Sequence, residues 1–320
     1  MIPLESFREA RARIAPLVRR TPMVHVGRTR DGRAPAHLAL KLELVQTTGS
    51  FKARGVANMV STLPSVARAR GLVTASGGNH GAAVAWAGWT SGAPATVFIP
   101  ESAPASKEAR IAAWGAEVVR HGAVWDDAHA EAERFAAAHN RVYIHPFADE
   151  RIVAGQGTTA LEIFDDAPET DLVVVAIGGG GLIAGVAEAT RHLSPSARVV
   201  GVEPVGAPTL AKSLEAGRPV TLDAIATRAG TLAPRTTHAL VYEIIARTVE
   251  RVALVTDDEM LEAARWLHDE LGLAPEISGA AAMAAVLAGK VDVSAARHPC
   301  VLVCGSGLDG AGLDGAGAGA

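Results

Sequence analysis

The sequence predicts an α/β protein built on parallel sheets with helices on both faces. Three observations carry that expectation. Short apolar runs alternate with segments of helical periodicity through most of the chain. The run Leu172-Val173-Val174-Val175-Ala176-Ile177 is apolar at every position, as in a strand buried on both sides. Aromatic residues make up only 4% of the chain while glycine occurs 33 times, a composition suited to closely packed helix-on-sheet layers.

Taken in order, residues 5–19 read as an amphipathic helix halted by Arg20-Thr21-Pro22. Leu38-Ala39-Leu40-Lys41-Leu42-Glu43 reads as a strand and Phe51 to Leu63 as a helix ended by Pro64. Gly71-Leu72-Val73-Thr74-Ala75 is a strand, the turn Ser76-Gly77-Gly78-Asn79-His80-Gly81 follows it, and a helix runs from Ala82 to Trp89. Strands are expected at 95–100, 116–120 and 142–144, with helices at 105–114 and 125–139 between them. Residues 157–164 read as helix, 171–177 as strand, and a helix follows Gly178-Gly179-Gly180-Gly181. The strand 198–203, a helix, a Thr/Ala/Arg/Pro loop at 221–237, two helices and a last strand at 300–304 complete the pattern. The segment 310–320, ending Gly-Ala-Gly-Ala, is expected to be a flexible tail.

Composition narrows the function. At 320 residues the chain can bury a large core, in one domain or two lobes. A net charge of −4 gives no footprint for nucleic acid or an anionic membrane. No segment approaches an uncharged apolar span of about 18 residues. The start, Met1-Ile2-Pro3-Leu4-Glu5, lacks the basic and apolar blocks of a secretory signal, so a cytoplasmic protein is expected. Cys300 and Cys304 fit a reduced thiol pair, too few for a structural zinc site.

Three stretches carry chemistry. In Gly49-Ser50-Phe51-Lys52 a lysine follows a turn at the expected start of a helix. The chain has five lysines among its 30 basic residues, so an amine here stands out. Lysine, unlike arginine, can deprotonate and form a Schiff base. A solvated lysine at a helix start is the plainer reading of that stretch alone.

The second stretch is the apolar strand that runs into Gly178-Gly179-Gly180-Gly181 and then Leu182. Without Cβ atoms, several N–H groups can approach one anion at a helix N-terminus, which suits a phosphate. The segment also fits the looser dinucleotide fingerprint, with Glu203 ending the next strand about 20 residues on, where a ribose-binding acid sits. A nicotinamide-dependent oxidoreductase is therefore a competing reading, and a non-catalytic phosphate-binding protein another. The third stretch, Ser76 to Gly81, follows a strand and opens a helix, so it forms another anion site, suited to a carboxylate. A dinucleotide leaves this turn and Lys52 unused. A phosphate cofactor carrying an aldehyde uses all three.

Together these stretches resemble the fold-type II pyridoxal-phosphate enzymes, tryptophan synthase β-like in architecture, and within them the threonine/serine dehydratase and serine racemase family. Ser50-Phe51-Lys52, Ser76-Gly77-Gly78-Asn79-His80-Gly81, Gly178 to Leu182 and Cys304-Gly305-Ser306-Gly307 occur in the family's order, supported by His145-Pro146-Phe147, Ala154-Gly155-Gln156-Gly157-Thr158 and Val202-Glu203-Pro204. The resemblance covers 5–309. It implies that Lys52 holds pyridoxal 5'-phosphate as a Schiff base and removes the substrate's α-proton. It implies that Phe51 packs on the cofactor ring and Asn79 bonds its hydroxyl. Gly178, Gly179, Gly180, Gly181 and Leu182 would hold the phosphate, and Cys304 would face the pyridine nitrogen. Ser76, Asn79 and His80 would grip the substrate carboxylate. Two lobes follow: a large one of 1–64 and 148–309, and a small mobile one of 65–147. A homodimer is expected.

Departures from the family refine this. A thiol at Cys304, where many relatives have serine, is a weak donor and leaves the ring nitrogen unprotonated, which favours β-elimination. Gly77 stands where the racemases carry a serine as second acid/base, so racemisation should be negligible. Thr209 replaces an aspartate of the racemases' metal site, beside Glu203 and Ala207, so no metal is expected. The loop at Gly230-Thr231 departs from the usual Asp-Gly or Asp-Ser, which leaves substrate preference open. Glu276 matches a family glutamate, with Ile277 in place of the usual proline. The expected activity is dehydration of a β-hydroxy amino acid, L-threonine or L-serine first, 3-hydroxyaspartate or phenylserine as alternatives, to a 2-oxo acid and ammonia.

Overall fold

The computed structural model describes residues 1–307 and 309–310. In chain order it begins with α1 (Leu4–Ile14), β1 (Met23–His25), β2 (Ala39–Leu42), α2 (Lys52–Ser61) and α3 (Ser65–Arg70). There follow β3 (Leu72–Ala75), α4 (Asn79–Ser91), β4 (Ala95–Ile99), α5 (Ala105–Ala112), β5 (Glu117–Arg120), α6 (Trp125–Ala138) and β6 (Val142–Tyr143). The remainder is α7 (Glu150–Asp166), β7 (Leu172–Ala176), α8 (Gly181–Leu193), β8 (Arg198–Pro204), α9 (Thr209–Glu215), α10 (Ala239–Thr248), β9 (Arg251–Val255), α11 (Asp257–Leu271), α12 (Ala281–Leu287) and β10 (Pro299–Val303).

The strands form two sheets. One has six strands in the order β1-β2-β10-β7-β8-β9, and the other has four in the order β5-β4-β3-β6. Every pairing is parallel except β1 with β2, where Met23 lies opposite Lys41. β2 sits beside β10, so the two ends of the chain close the middle of the larger sheet. This brings the lysine turn after β2 next to the end of β10, where Phe51 N–H donates to the Cys304 carbonyl at 3.2 Å.

A buried charge cluster fixes the base of α2. The guanidinium of Arg54, 1% exposed, makes two hydrogen bonds of 2.7 and 2.8 Å to each of Glu43 and Glu162. Lys41 donates to the same Glu162 carboxylate at 2.7 Å. Fork-shaped recognition from both sides fixes the helix direction as well as its position.

Several expected elements shift. α1 ends at Ile14 rather than near residue 19, because Pro16 lacks an N–H and its ring clashes with the preceding turn. α7 starts at Glu150, capped by Asp149, rather than at residue 157. Its glycines are poor helix formers, but packing demands them: a Cβ on Gly155 would lie 2.6 Å from Gly55 Cα, where α7 crosses α2. β9 occupies part of a stretch expected to hold only helices. A short apolar run fits strand and helix equally by periodicity, and its pairing with β8 decides. The expected flexible tail falls on 311–320, outside the described residues, apart from Gly310. That residue is buried, and a Cβ there would meet the Pro275 carbonyl.

Candidate active site

The carboxyl ends of β3, β7 and β10 converge on one cavity of about 530 Å³ between the two sheets. This is where parallel α/β sheets place ligands, because loops and helix N-termini gather there. Each residue expected of the site lines it: Phe51 and Lys52, Ser76, Asn79 and His80, the glycine loop with Leu182, and Cys304.

Lys52 is the first residue of α2, and its Nζ donates to the Pro146 carbonyl at 2.9 Å. It also sits 5.2 Å from the Phe51 ring centroid, so the Phe51 face is turned to the amine. Stripping water from the amine lowers its pKa to about 8, against the opposing pull of Cys304 and Glu276. A sizeable neutral fraction near pH 7 makes it a competent nucleophile. Burial pushes the Cys304 thiol up, with the Glu276 carboxyl adding to the effect, so it remains an uncharged S–H.

The glycine loop leaves β7 and enters α8. Gly180 caps that helix at φ 91°, a left-handed backbone that glycine adopts without strain. The first bond of α8 runs from Ala184 N–H to the Gly180 carbonyl at 2.9 Å, leaving the N–H groups of the preceding residues without an intrahelical partner. A Cβ on Gly179 would fall 2.2 Å from the Phe147 ring, so side chains are excluded here by packing as well.

The turn after β3 is the second helix start. α4 begins at Asn79, three residues earlier than expected, so the N–H groups of Asn79, His80 and Gly81 are the unpaired first-turn donors. Ser76 Oγ accepts from Gly78 N–H at 3.2 Å and thereby shapes the turn. The His80 side chain departs from the expected role. Its Nε2 is 3.0 Å from the Ile144 carbonyl, and burial lowers its pKa to about 3. The ring is thus neutral with Nε2 as donor, and Nδ1 is a bare acceptor that would repel a carboxylate. His80 can contribute its backbone N–H to an anion, and its imidazole cannot.

Asn79 also differs in detail. Its Nδ2 donates to Glu276 Oε1 at 2.7 Å, and Thr231 Oγ1 donates to the same oxygen at 3.2 Å. Burial raises the Glu276 pKa to about 7. Asn79 Oδ1 has no partner although it is buried. Glu276 belongs to the site with Thr231, Phe147 and Trp125, all of which line the cavity. A lone tryptophan at a helix start reads as core, and the Pro146 carbonyl carries no signal in sequence at all.

The dinucleotide reading fails on Glu203. That carboxylate is fully buried and accepts from the N–H groups of Leu210 and Ala211 at 2.7 and 2.9 Å, so it caps α9 and does not line the cavity that holds the glycine loop. The residues present suit pyridoxal phosphate instead. A desolvated amine, an N–H cradle for a dianion, an orphaned buried Asn79 oxygen and an uncharged thiol surround one space of adequate size.

Comparison with known proteins agrees. The model of the pyridoxal-phosphate dependent enzyme family matches residues 14–305. The chain is 35% identical over 309 residues to an L-threonine ammonia-lyase of Thermotoga maritima, covering 97% of this chain and 76% of that protein. It is 37% identical over 310 residues to a phenylserine dehydratase of Ralstonia pickettii, covering 96% and 93% of the two chains. The solved structure of maize serine racemase superposes with a TM-score of 0.88 at 35% identity, covering 95% of this chain and 93% of that one.

Proposed function

The chain belongs to the pyridoxal-phosphate dependent enzymes, in the fold-type II group, and from that premise we propose that it is a dehydratase converting a β-hydroxy amino acid to a 2-oxo acid and ammonia. L-Threonine and L-serine are the simplest members of that substrate class. The observation that carries the reading is the placement of the Lys52 amine in one cavity with two separate helix N-termini.

When bound, pyridoxal phosphate supplies an aldehyde that condenses with an amine and a ring that draws electrons from the α-carbon. The chain's own residues do the rest. The open N–H groups of the loop 178–182 hold the phosphate, aided by the dipole of α8. The N–H groups at the start of α4, with the Ser76 hydroxyl, hold the substrate carboxylate. Lys52 would hold the cofactor, and its Nζ would be the base that accepts the α-proton. Asn79, braced by Glu276, would hold the ring hydroxyl, and the uncharged Cys304 thiol would face the ring nitrogen without charging it. An uncharged thiol at that position would favour loss of the β-hydroxyl over longer-lived alternatives. Gly77 offers no acid on the far face, so elimination outruns racemisation.

We further propose the division into a large lobe, 1–64 and 148–309, and a small one, 65–147, that closes over substrate, and a homodimeric assembly. Among the described residues no helix is long and apolar enough to cross a membrane. The test of function is direct. Purified protein with the cofactor should absorb in the visible, borohydride should fix the cofactor on Lys52, and β-hydroxy amino acids should release 2-oxo acid. A protein that gains no visible band on adding pyridoxal phosphate would refute the proposal.

A further inference from the structure

We infer that Trp125 makes this site selective for β-hydroxy amino acids whose β-carbon carries an aryl group, over those carrying hydrogen or methyl. The inference rests on the dehydratase reading and narrows its substrate.

The two invariant ends of an amino acid are fixed by the geometry above, the carboxylate at the start of α4 and the α-carbon at Lys52. The side chain must then extend towards the remaining lining of the cavity. The apolar residues that line the cavity include Ala103, Val124 and Trp125 from the segment around β4–α6, and Ile225, Leu232 and Pro234 from the loop before α10. These are apolar contacts, and Trp125 is the largest among them.

Trp125 is held in place independently of any ligand. Its indole N–H donates to the Ala75 carbonyl at 2.9 Å, immediately before the carboxylate turn. One face stacks on His129 with ring centroids 4.7 Å apart and planes 9° from parallel. His129 Nδ1 in turn lies 2.6 Å from the Tyr143 hydroxyl. The ring is therefore fixed in orientation and registered against the carboxylate site. With its N–H already satisfied, it offers a substrate only apolar π surface.

The exposed charges of that lining do not compete for a polar side chain. Asp126 and Arg235, which both line the cavity, pair with each other at 3.3 Å. Lys107 has no ion-pair partner among the described residues, but it is exposed at the rim. A methyl or hydrogen at the β-carbon would leave the indole uncontacted, whereas a phenyl ring can pack on it in the offset or edge-to-face geometry that aromatic pairs prefer.

The test compares kcat/KM of the holoenzyme for threo-3-phenylserine, L-threonine, L-serine and 3-hydroxyaspartate, in wild type, Trp125→Ala and Trp125→Phe. Wild type should favour phenylserine over threonine by about 10-fold or more, the scale of an aromatic contact added to apolar burial. Trp125→Ala should lose about that factor more on phenylserine than on threonine, while Trp125→Phe keeps most of the preference. A second readout is free of turnover. Binding of 3-phenylpropionate, followed by calorimetry, should weaken by a similar factor in Trp125→Ala, with propionate unaffected. A wild-type preference for threonine, for serine or, through Lys107, for 3-hydroxyaspartate overturns the inference. So does an equal loss on all substrates in Trp125→Ala, which marks a structural role. If no β-hydroxy amino acid yields 2-oxo acid, the dehydratase reading falls, and unchanged 3-phenylpropionate binding in Trp125→Ala would then also sink the aryl pocket.

Discussion

The side chain of Asn79 is held by Glu276 at 2.7 Å, across a boundary that joins the start of α4 to the segment between α11 and α12. Glu276 is thereby a positioning residue. Glu276→Ala should cost about 1–3 kcal/mol of stability, the usual consequence of leaving a buried polar partner unmatched. It should also weaken cofactor affinity, whereas Glu276→Gln, which keeps an acceptor oxygen, should retain most of it. Equilibrium titration of the apo protein with pyridoxal phosphate measures both variants. Equal affinity in Glu276→Ala and wild type would remove the positioning role.

The Lys52 amine, lowered to about 8 by desolvation, should govern how fast the apo protein takes up its cofactor. Only the neutral amine attacks an aldehyde, so the rate should rise with pH and level off above about 8. Stopped-flow absorbance across pH 6–10 provides the measurement. A midpoint near the ordinary lysine value, roughly 10.4, would contradict the desolvated environment.

Gly77 has room for a side chain: a Cβ there would first meet Ile99 Cγ2 at 3.7 Å and Ala103 Cβ at 3.9 Å, ordinary contact distances. Gly77→Ser should therefore fold, and by adding a proton carrier it should produce D-serine from L-serine, which wild type should not. Chiral chromatography of the product decides. D-serine from wild type at a rate comparable to elimination would refute the single-base reading.

Arg54 neutralises two buried carboxylates at once. Arg54→Met should lose about 3–5 kcal/mol, because it strands Glu43 without a counter-charge and leaves Glu162 with Lys41 alone. The loss should shrink at acid pH, because removing Arg54 takes away a bond and a charge that lower the Glu162 pKa, and that carboxyl can then take up a proton. Thermal melts of the variant and wild type at pH 5 and pH 8 compare the two conditions. A uniform loss at both would indicate a packing defect instead.

Glu203 has its pKa raised to about 7 by burial, which outweighs its bonds from Leu210 and Ala211. In the unfolded chain it ionises near the usual value of about 4.3, so between that pH and about 7 the folded state binds the extra proton. Stability contributed by this group is full below the lower value and is lost as pH rises through the upper one, with a slope of about 1.4 kcal/mol per pH unit. Glu203→Gln should flatten the stability curve by about one proton in that window. An unchanged slope would show that Glu203 is ionised throughout.

The sequence by itself determined the sheet-and-helix alternation, the lysine turn, both anion-binding turns and the thiol. Each is local: a glycine run after an apolar strand, or a lysine at a helix start, is written in consecutive residues. Their joint occurrence gave the cofactor. The three-dimensional structure alone decided the matters that depend on distant partners. It tied the His80 ring to the Ile144 carbonyl and spent the Glu203 carboxylate on capping α9. It carried α7 through Gly155 because α2 lies too close for a side chain and through Gly157 because Phe7 and α8 do, and it set Trp125 as a fixed wall of the cavity. In each case local propensity leaves several conformations nearly equal in energy, and burial against a residue far along the chain selects one.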